Sequence, residues 1–455
     1  MRLLRALFLL FIASLSVPAG AQQSSKVKLL CQWNDTVAAP MNSKGHRYNE
    51  VWGFTSNGKE YAVIGSTLGA HIIDVNTCKQ VIFAPGRTGN ASHRDYKTYR
   101  NLLYACSEDG QSTLQIFDTR YLPDSLPIAW ESDPAYISRM HKLFIDTVTA
   151  KMYCPSFTNN TTGHDFMRVF SLQKPDSPVL AAVYNDNHGD IHDVYVRNDT
   201  AFCSASFAGY FVVDFSKAPA VRTLGGLTNY PYRGFNHSSW IGADGIGVMA
   251  DETGGLPLKV IDTRNVGRIS ALSTFSPRGT DKTSVPHNPY IRGKFAFISY
   301  YLDGLQIYDL SDPAKPRQAG WYLTYTGVPY EGFGGAWGCY PYLPSRRVLI
   351  SDMITGLYVF DTDEATGTVK NTAFKLYPNP AKEQLTLEVP EDKGGTLQCL
   401  IYDVTGRKVS EMQFRLNDRA NPPVTLPLRE NWPGGMYIIR TTLGDATFTA
   451  PFIKL

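Results

Sequence analysis

A segment of about 45–50 residues recurs seven times along this chain, and that repetition limits the available folds more than any other feature. Each copy opens with histidine or, once, tryptophan: His46-Arg47-Tyr48-Asn49-Glu50-Val51, His93-Arg94-Asp95-Tyr96, His141-Lys142-Leu143-Phe144, His192-Asp193-Val194-Tyr195, His237-Ser238-Ser239-Trp240, His287-Asn288-Pro289-Tyr290 and Trp337-Gly338-Cys339-Tyr340. A second apolar run follows in each copy, such as Tyr61-Ala62-Val63-Ile64 or Phe295-Ala296-Phe297-Ile298. A third ends at a polar turn, usually after aspartate, as in His71-Ile72-Ile73-Asp74 and Leu305-Gln306-Ile307-Tyr308-Asp309. A weaker fourth run, for example Val179-Leu180-Ala181-Ala182-Val183, follows in most copies. Short β-branched and aromatic runs bounded by turns are strands. One such unit cannot bury its own faces, so the copies must pack on one another. Four antiparallel strands at this period are the pattern of propeller blades.

The ends are informative. No good fourth strand follows Asp361, whereas Val27-Lys28-Leu29-Leu30-Cys31-Gln32-Trp33 precedes the first copy as a strand without a unit. Lending that strand to the last unit would join the two ends by backbone hydrogen bonds and remove an exposed interface. The expected fold is therefore all-β: a seven-bladed β-propeller over residues 22–367, its last blade closed by the N-terminal strand, and a small β-sandwich over residues 368–455.

Residues 1–21 have the form of a secretory signal peptide. Arg2 and Arg5 precede an apolar run from Ala6 to about Val17, and Ala19-Gly20-Ala21 supplies small residues for cleavage. The run is short for a membrane span, and no later stretch approaches the roughly 20 apolar residues that a span needs. Cys31 lies well past the expected cleavage point, away from the position of a lipidated cysteine. A net charge of +3, with no basic stripe, argues against nucleic acid as a partner. Seven cysteines leave at least one unpaired within the chain in an oxidising compartment. Cys106, Cys154 and Cys203 fall in equivalent buried strands and read as small core residues, and Cys31 and Cys78 are candidates to meet at an outer edge.

Units ending Leu-x-Ile-x-Asp resemble LVIVD-type repeats. The opening His46-Arg47-Tyr48-Asn49-Glu50-Val51-Trp52-Gly53, with His287-Asn288-Pro289-Tyr290 and Trp337-Gly338-Cys339-Tyr340-Pro341-Tyr342, is similar to the choice-of-anchor B family of bacterial surface proteins. That resemblance covers roughly residues 27–361; it implies export and an interchangeable C-terminal anchor, and carries no activity. Beyond Thr372 come Tyr377-Pro378-Asn379-Pro380, Asp403-Val404-Thr405-Gly406-Arg407 and Pro433-Gly434-Gly435-Met436-Tyr437. In order and spacing these are similar to the type A sorting domain of the type IX secretion system of Bacteroidota. The similarity implies recognition of residues 368–455 by the secretion machinery and a final location that is secreted or at the outer cell surface.

Six of the nine histidines open the innermost strand of successive units. In a propeller those positions ring one mouth of the central channel, which would bring together His46, His93, His141, His192, His237 and His287. Neutral imidazoles so arranged are ligands for a divalent metal such as Zn, Mn, Cu or Ni. Glu50, Asp95 and Asp193 are placed to orient the rings, and Glu108-Asp109 and Asp251-Glu252 to add carboxylates. The other reading is that each histidine bonds within its own blade and recurs because the blade does. Aromatic residues in the loops, Trp337, Tyr232, Tyr300 and Tyr301, are candidates to stack on a ligand, or else fill gaps between blades. The sequence contains no Gly-x-Ser-x-Gly, phosphate-binding loop or Cys-x-x-Cys. The leading expectation is a non-enzymatic surface module that binds a glycan or protein; the rival is a metal-dependent hydrolase or lyase, and a purely structural envelope component, with neither metal nor a lined pocket, is the third. Three imidazole nitrogens able to approach one point favour the metal; rings bonded inside their own blades exclude it.

Overall fold

The computed structural model describes residues 24–35, 37–186, 188–367, 374–390, 394–416, 422–444 and 446–455. The expected signal peptide at 1–21 lies outside the described residues, as does the segment 368–373 just past the expected domain boundary.

Among the described residues, the repeat segment forms seven antiparallel sheets, numbered here in chain order. Sheet 1 runs Tyr48–Ser56, Lys59–Ser66, Gly69–Asp74, Lys79–Pro85, and sheet 2 runs Arg94–Tyr99, Leu102–Ser107, Gln115–Asp118, Ile128–Glu131. Sheet 3 starts from the short strands Arg139–Met140 and Phe144–Asp146, then Lys151–Asn159, Gly163–Ser171, Val179–Tyr184. Sheets 4 and 5 are Asp193–Arg197, Thr200–Ala205, Gly209–Asp214, Arg222–Leu227 and Asn236–Ile241, Ile246–Asp251, Leu258–Asp262, Ser270–Phe275. Sheet 6 is Asn288–Arg292, Phe295–Ser299, Leu305–Asp309, Arg317–Tyr322, with Ser24–Ser25 on its outer edge. Sheet 7 is Ala336–Tyr340, Val348–Asp352, Gly356–Asp361, and its fourth strand is Lys28–Trp33 from the other end of the chain.

The pairing shows why that N-terminal segment fits. In every one of the seven sheets the fourth strand carries one extra residue against the third: Val81, Ala129, Ala181, Leu224, Leu272, Ala319 and, in the N-terminal strand, Leu30. A bulge of this kind bends the strand and increases its twist. Lys28–Trp33 thus has the local geometry of a fourth strand despite its distance in sequence. A disulfide from Cys31 to Cys78, with Cα atoms 6.2 Å apart, ties this strand to the turn between the last two strands of sheet 1. Cys106, Cys154 and Cys203 are buried and unpaired, in keeping with their reading as core residues, and Cys339 and Cys399 are likewise buried and unpaired.

The polar residue after the third strand has a defined task. Asp74, Asp118, Asp214, Asp262, Asp309 and Asp361 each accept a hydrogen bond from the backbone N–H two residues on, closing the turn into the next segment. The apolar residues lie between sheets. Seven clusters of buried side chains each combine residues of two successive sheets, and one of them joins Val51, Ile64 and Ile73 of sheet 1 with Leu349, Leu357 and Val359 of sheet 7. The first strands of neighbouring sheets touch in chain order, and the first strand of sheet 7 touches that of sheet 1.

The C-terminal segment forms two further sheets. One pairs Lys375–Tyr377, Gln384–Glu388 and Val424–Pro427; the other orders Lys408–Leu416, Gly395–Asp403, Gly435–Leu443 and Ala446–Lys454. Their alternating apolar residues, among them Leu385, Leu387, Cys399, Ile401, Leu426, Ile439 and Phe452, meet in a single cluster.

Candidate functional site: a rim of histidines

Register places the opening residues of six of the seven units on or next to a common level. His192, His237, His287 and Trp337 each stand two residues before the first-strand residue that pairs with an equivalent second-strand position, Val194 with Cys203, Ser239 with Met249, Pro289 with Ile298 and Cys339 with Ile350. In sheet 2 the equivalent pair is Tyr96 with Ala105, three residues after His93, and His141 stands three residues before Phe144, which pairs with Tyr153. In sheet 1 that residue is Val51, paired with Ile64, so the equivalent position is Asn49. His46 therefore lies three residues too early. Its Nδ1 instead meets Asn42 Nδ2 at 3.1 Å in the preceding loop, and the groups of donors able to hold a metal among the described residues do not include it. In the other units an aromatic residue follows three positions after the opening residue, and in sheet 1 the first-strand aromatic at that place is Trp52, so Asn49 and not His46 takes the level; Asn49 and Glu50 together lie opposite Gly65 in a bulge.

The remaining five histidines form a continuous arc. Ring centroids are 4.1 Å apart for His93–His141 and His141–His192, 4.5 Å for His192–His237 and 4.4 Å for His237–His287. Trp337 closes the gap, 4.9 Å from His287 and 5.7 Å from His93. Three groups have ligand atoms all within 4.8 Å of one another: His141, His192 and His237; His93, Glu108 and His141; His237, Glu252 and His287. The two glutamates come from the turns after the second strands of sheets 2 and 5.

Hydrogen bonding leaves much of this arc unsatisfied. Among the described residues no rim imidazole bonds to a group of its own sheet. His141 Nδ1 meets Glu108 Oε2 of the preceding sheet at 2.5 Å, and His287 Nδ1 donates to the Trp337 carbonyl of the next at 2.5 Å. Both ring nitrogens of His93, Nε2 of His192 and Nδ1 of His237 are buried without a hydrogen-bond partner. Burial, with neighbouring imidazoles and Lys142 adding to it, holds the pKa of His93, His192, His237 and His287 well below the usual value. These rings are neutral at pH 7, the form in which imidazole donates a lone pair to a metal. Glu252 is pushed up to about 7 by burial, against the Tyr301 hydroxyl that donates to its Oε1 at 2.5 Å.

The other expected acids do not orient the rings. One residue further along the first strands, Glu50, Lys142, Asp193 and Asn288 form a second polar level. Lys142 Nζ contacts Glu50 Oε2 at 2.9 Å and Asp193 at 3.9 Å, and Asn288 Nδ2 donates to Glu50 at 3.2 Å. Asp95 pairs with Lys97 at 2.7 Å. A buried cation drew these carboxylates away from the imidazoles, and its charge is held on by Glu50, Asp193 and Asp95 despite the burial that opposes it. The sequence signal for this level was available: the residue at this position is Glu50, Asp95, Lys142, Asp193, Ser238, Asn288 or Gly338, never a large apolar side chain. Asp251 serves Lys259, at 2.5 Å, and Asp109 caps the backbone of Ser92 and His93.

The aromatic candidates separate. Tyr301 is buried beside the rim, its ring 4.9 Å from His287. Tyr300, next in sequence, is fully buried in the apolar cluster between sheets 5 and 6 and has no surface to offer a ligand; the chain turns here, with Tyr301 at φ 23°, and the two rings go to different surroundings. Tyr232 is 54 % exposed on a loop. Phe235, 5.0 Å from His192, and Phe333, 5.1 Å from Tyr301, also fringe the rim. His71, His164 and His188 lie elsewhere, bonded to Ser66 and Gln80, to Asp190, and to Asp186 respectively.

Residues 375–454 match the family model described as a secretion system C-terminal sorting domain. This tail directs the protein, through the type IX secretion machinery, to the outer cell surface or the extracellular space. No curated protein matches the chain. No helix among the described residues is long and apolar enough to cross a membrane.

Proposed function

We propose that residues 24–367 are a seven-bladed β-propeller, closed by its N-terminal strand, whose histidine rim binds a divalent transition-metal ion on a secreted or surface-displayed protein. The blade reading is supported by seven sheets with one bulge pattern, by a cluster between each successive pair, and by first strands that touch in a closed order. The likeness to choice-of-anchor B proteins and LVIVD repeats rests on the motifs quoted above, and the tail is read as a small β-sandwich. The observation that carries the metal is the convergence of neutral, unpartnered imidazoles with two carboxylates. Donors around one tetrahedral zinc stand about 3.3 Å apart, and the atoms of each group lie within 4.8 Å of one another, so the side chains would have to close in on an ion. A buried polar atom left without a partner costs on the order of 1–3 kcal/mol, and several in one place are explained by a ligand that satisfies them.

The test is elemental analysis and thermal melting of the full chain after chelation and after addition of Zn(II), Mn(II), Cu(II) or Ni(II). A bound ion and a raised melting temperature, both lost in His141→Ala/His237→Ala, are expected. No retained metal and no shift with any of the four ions would remove the reading.

A second reading, catalysis, is favoured by Glu252. With the ion held by imidazoles of the arc and Glu252 not among its ligands, a carboxylate pushed up to about 7 beside it is suited to general-base work, and the ion would acidify a bound water or substrate. The fringing aromatics Phe235 and Phe333 then supply a platform for a glycan or peptide. Chelator-sensitive turnover of a polysaccharide or peptide panel is the measurement; binding to the panel without turnover would return the rim to a purely binding role.

A further inference from the structure

The donors are more numerous, and more spread out, than one ion requires. Seven residues offer a ligand atom: His93, Glu108, His141, His192, His237, Glu252 and His287. The group His93, Glu108 and His141 at one end shares no member with the group His237, Glu252 and His287 at the other. Each end has its own carboxylate and two imidazoles. Between them stands His192, whose buried Nε2 has no partner, in a group that takes one imidazole from each end.

We infer that the rim holds a pair of divalent ions, one at His93–Glu108–His141 and one at His237–Glu252–His287, with His192 between them. This rests on the metal-binding reading above and adds a stoichiometry to it. A carboxylate at each end offsets the charge of its own ion, which a purely imidazole arc could not do. The hydrogen bond from His287 Nδ1–H to the Trp337 carbonyl leaves Nε2 as the bare nitrogen, and that atom lies 3.8 Å from Glu252 Oε1. Fixing the tautomer through a backbone carbonyl is a common way of presenting imidazole to a metal. His237 Nε2 lies 3.9 Å from the other oxygen of the same carboxylate, so Glu252 faces both imidazoles of its end at once. At the opposite end, His93 lies stacked on His141 with both nitrogens free, and Glu108 is the more exposed of the two carboxylates, so ions enter most readily there.

The full chain, stripped with chelator and titrated with Co(II) or Mn(II), should take up two equivalents. Glu108→Gln and Glu252→Gln should each fall to one, and the double variant to less than one. Two Mn(II) ions close together should give a spin-coupled spectrum that reverts to isolated Mn(II) in either single variant. Should Glu252→Gln fail to fold by circular dichroism, His287→Gln removes a donor from the same end and should likewise leave one equivalent. A single equivalent in the unaltered chain, or unchanged stoichiometry in all these variants, overturns the pair while leaving a metal site standing. No uptake at all overturns the metal reading as well.

Discussion

Asp74 shows how a recurring residue can be structural while another, at a recurring position nearby, is chemical. Its Oδ1 accepts from the N–H groups of both Asn76 and Thr77 at 2.9 and 3.1 Å, in a turn that repeats from sheet to sheet. Asp74→Ala should cost about 1–2 kcal/mol, read as a lower urea midpoint with an unchanged slope. The rim histidines make no such local bonds, and they respond to pH instead. In metal-free protein their folded pKa values lie below that of the unfolded chain, so the unfolded state binds more protons and stability falls as pH drops through about 6.5. Glu252, raised to about 7, acts in the opposite sense between its ordinary value and neutrality. Four imidazoles outweigh one carboxyl. Chelator-treated protein is therefore expected to lose on the order of a few kcal/mol between pH 7.5 and 5.5 in urea titrations, and a flat profile would show that the imidazoles are solvated.

At the level of strands, the N-terminal segment Lys28–Trp33 matters out of proportion to its length. It completes sheet 7, and its Cys31 is covalently tied to Cys78 beside sheet 1, a separation of 47 residues. Closing a loop of that size restricts the unfolded chain by up to about 4 kcal/mol. Cys78→Ser should lower stability by an amount approaching that figure, measured against the oxidised parent, and reduction of the parent should give the same loss. The strand-level reading of the sequence was accurate where apolar runs alternate with turns, because burial on both faces leaves little choice of side-chain type. It was less accurate at the bulges, where one inserted residue shifts the register. In sheet 1 the bulge lies beside the rim position itself, and Asn49, three residues before Trp52, rather than His46 occupies the level of the other rim residues.

For the whole molecule, residues 375–454 decide where the chain goes and residues 24–367 what it carries there. Deleting residues 375–454 should leave the protein in the periplasm of a host with type IX secretion, detected by fractionation, with the metal stoichiometry of the remaining chain unaltered. The C-terminal sheets have a hydrophobic cluster of their own, which is the physical ground for expecting the repeat segment to hold its structure without them.

The repeat, its strands and the sorting motifs were legible in the amino-acid order because they are local patterns: period, turn chemistry and short ordered signatures. So was the convergence of five histidines, once equivalent positions are assumed to meet. Which carboxylates join them was decided only in three dimensions. Glu108 and Glu252 reach the rim from neighbouring turns, while Glu50 and Asp193, nearer in sequence, are held by the buried charge of Lys142. Tyr300 and Tyr301 likewise are neighbours in sequence whose rings go to different surroundings. Burial and charge pairing depend on distances across sheets, and those distances have no counterpart in the spacing of residues along the chain.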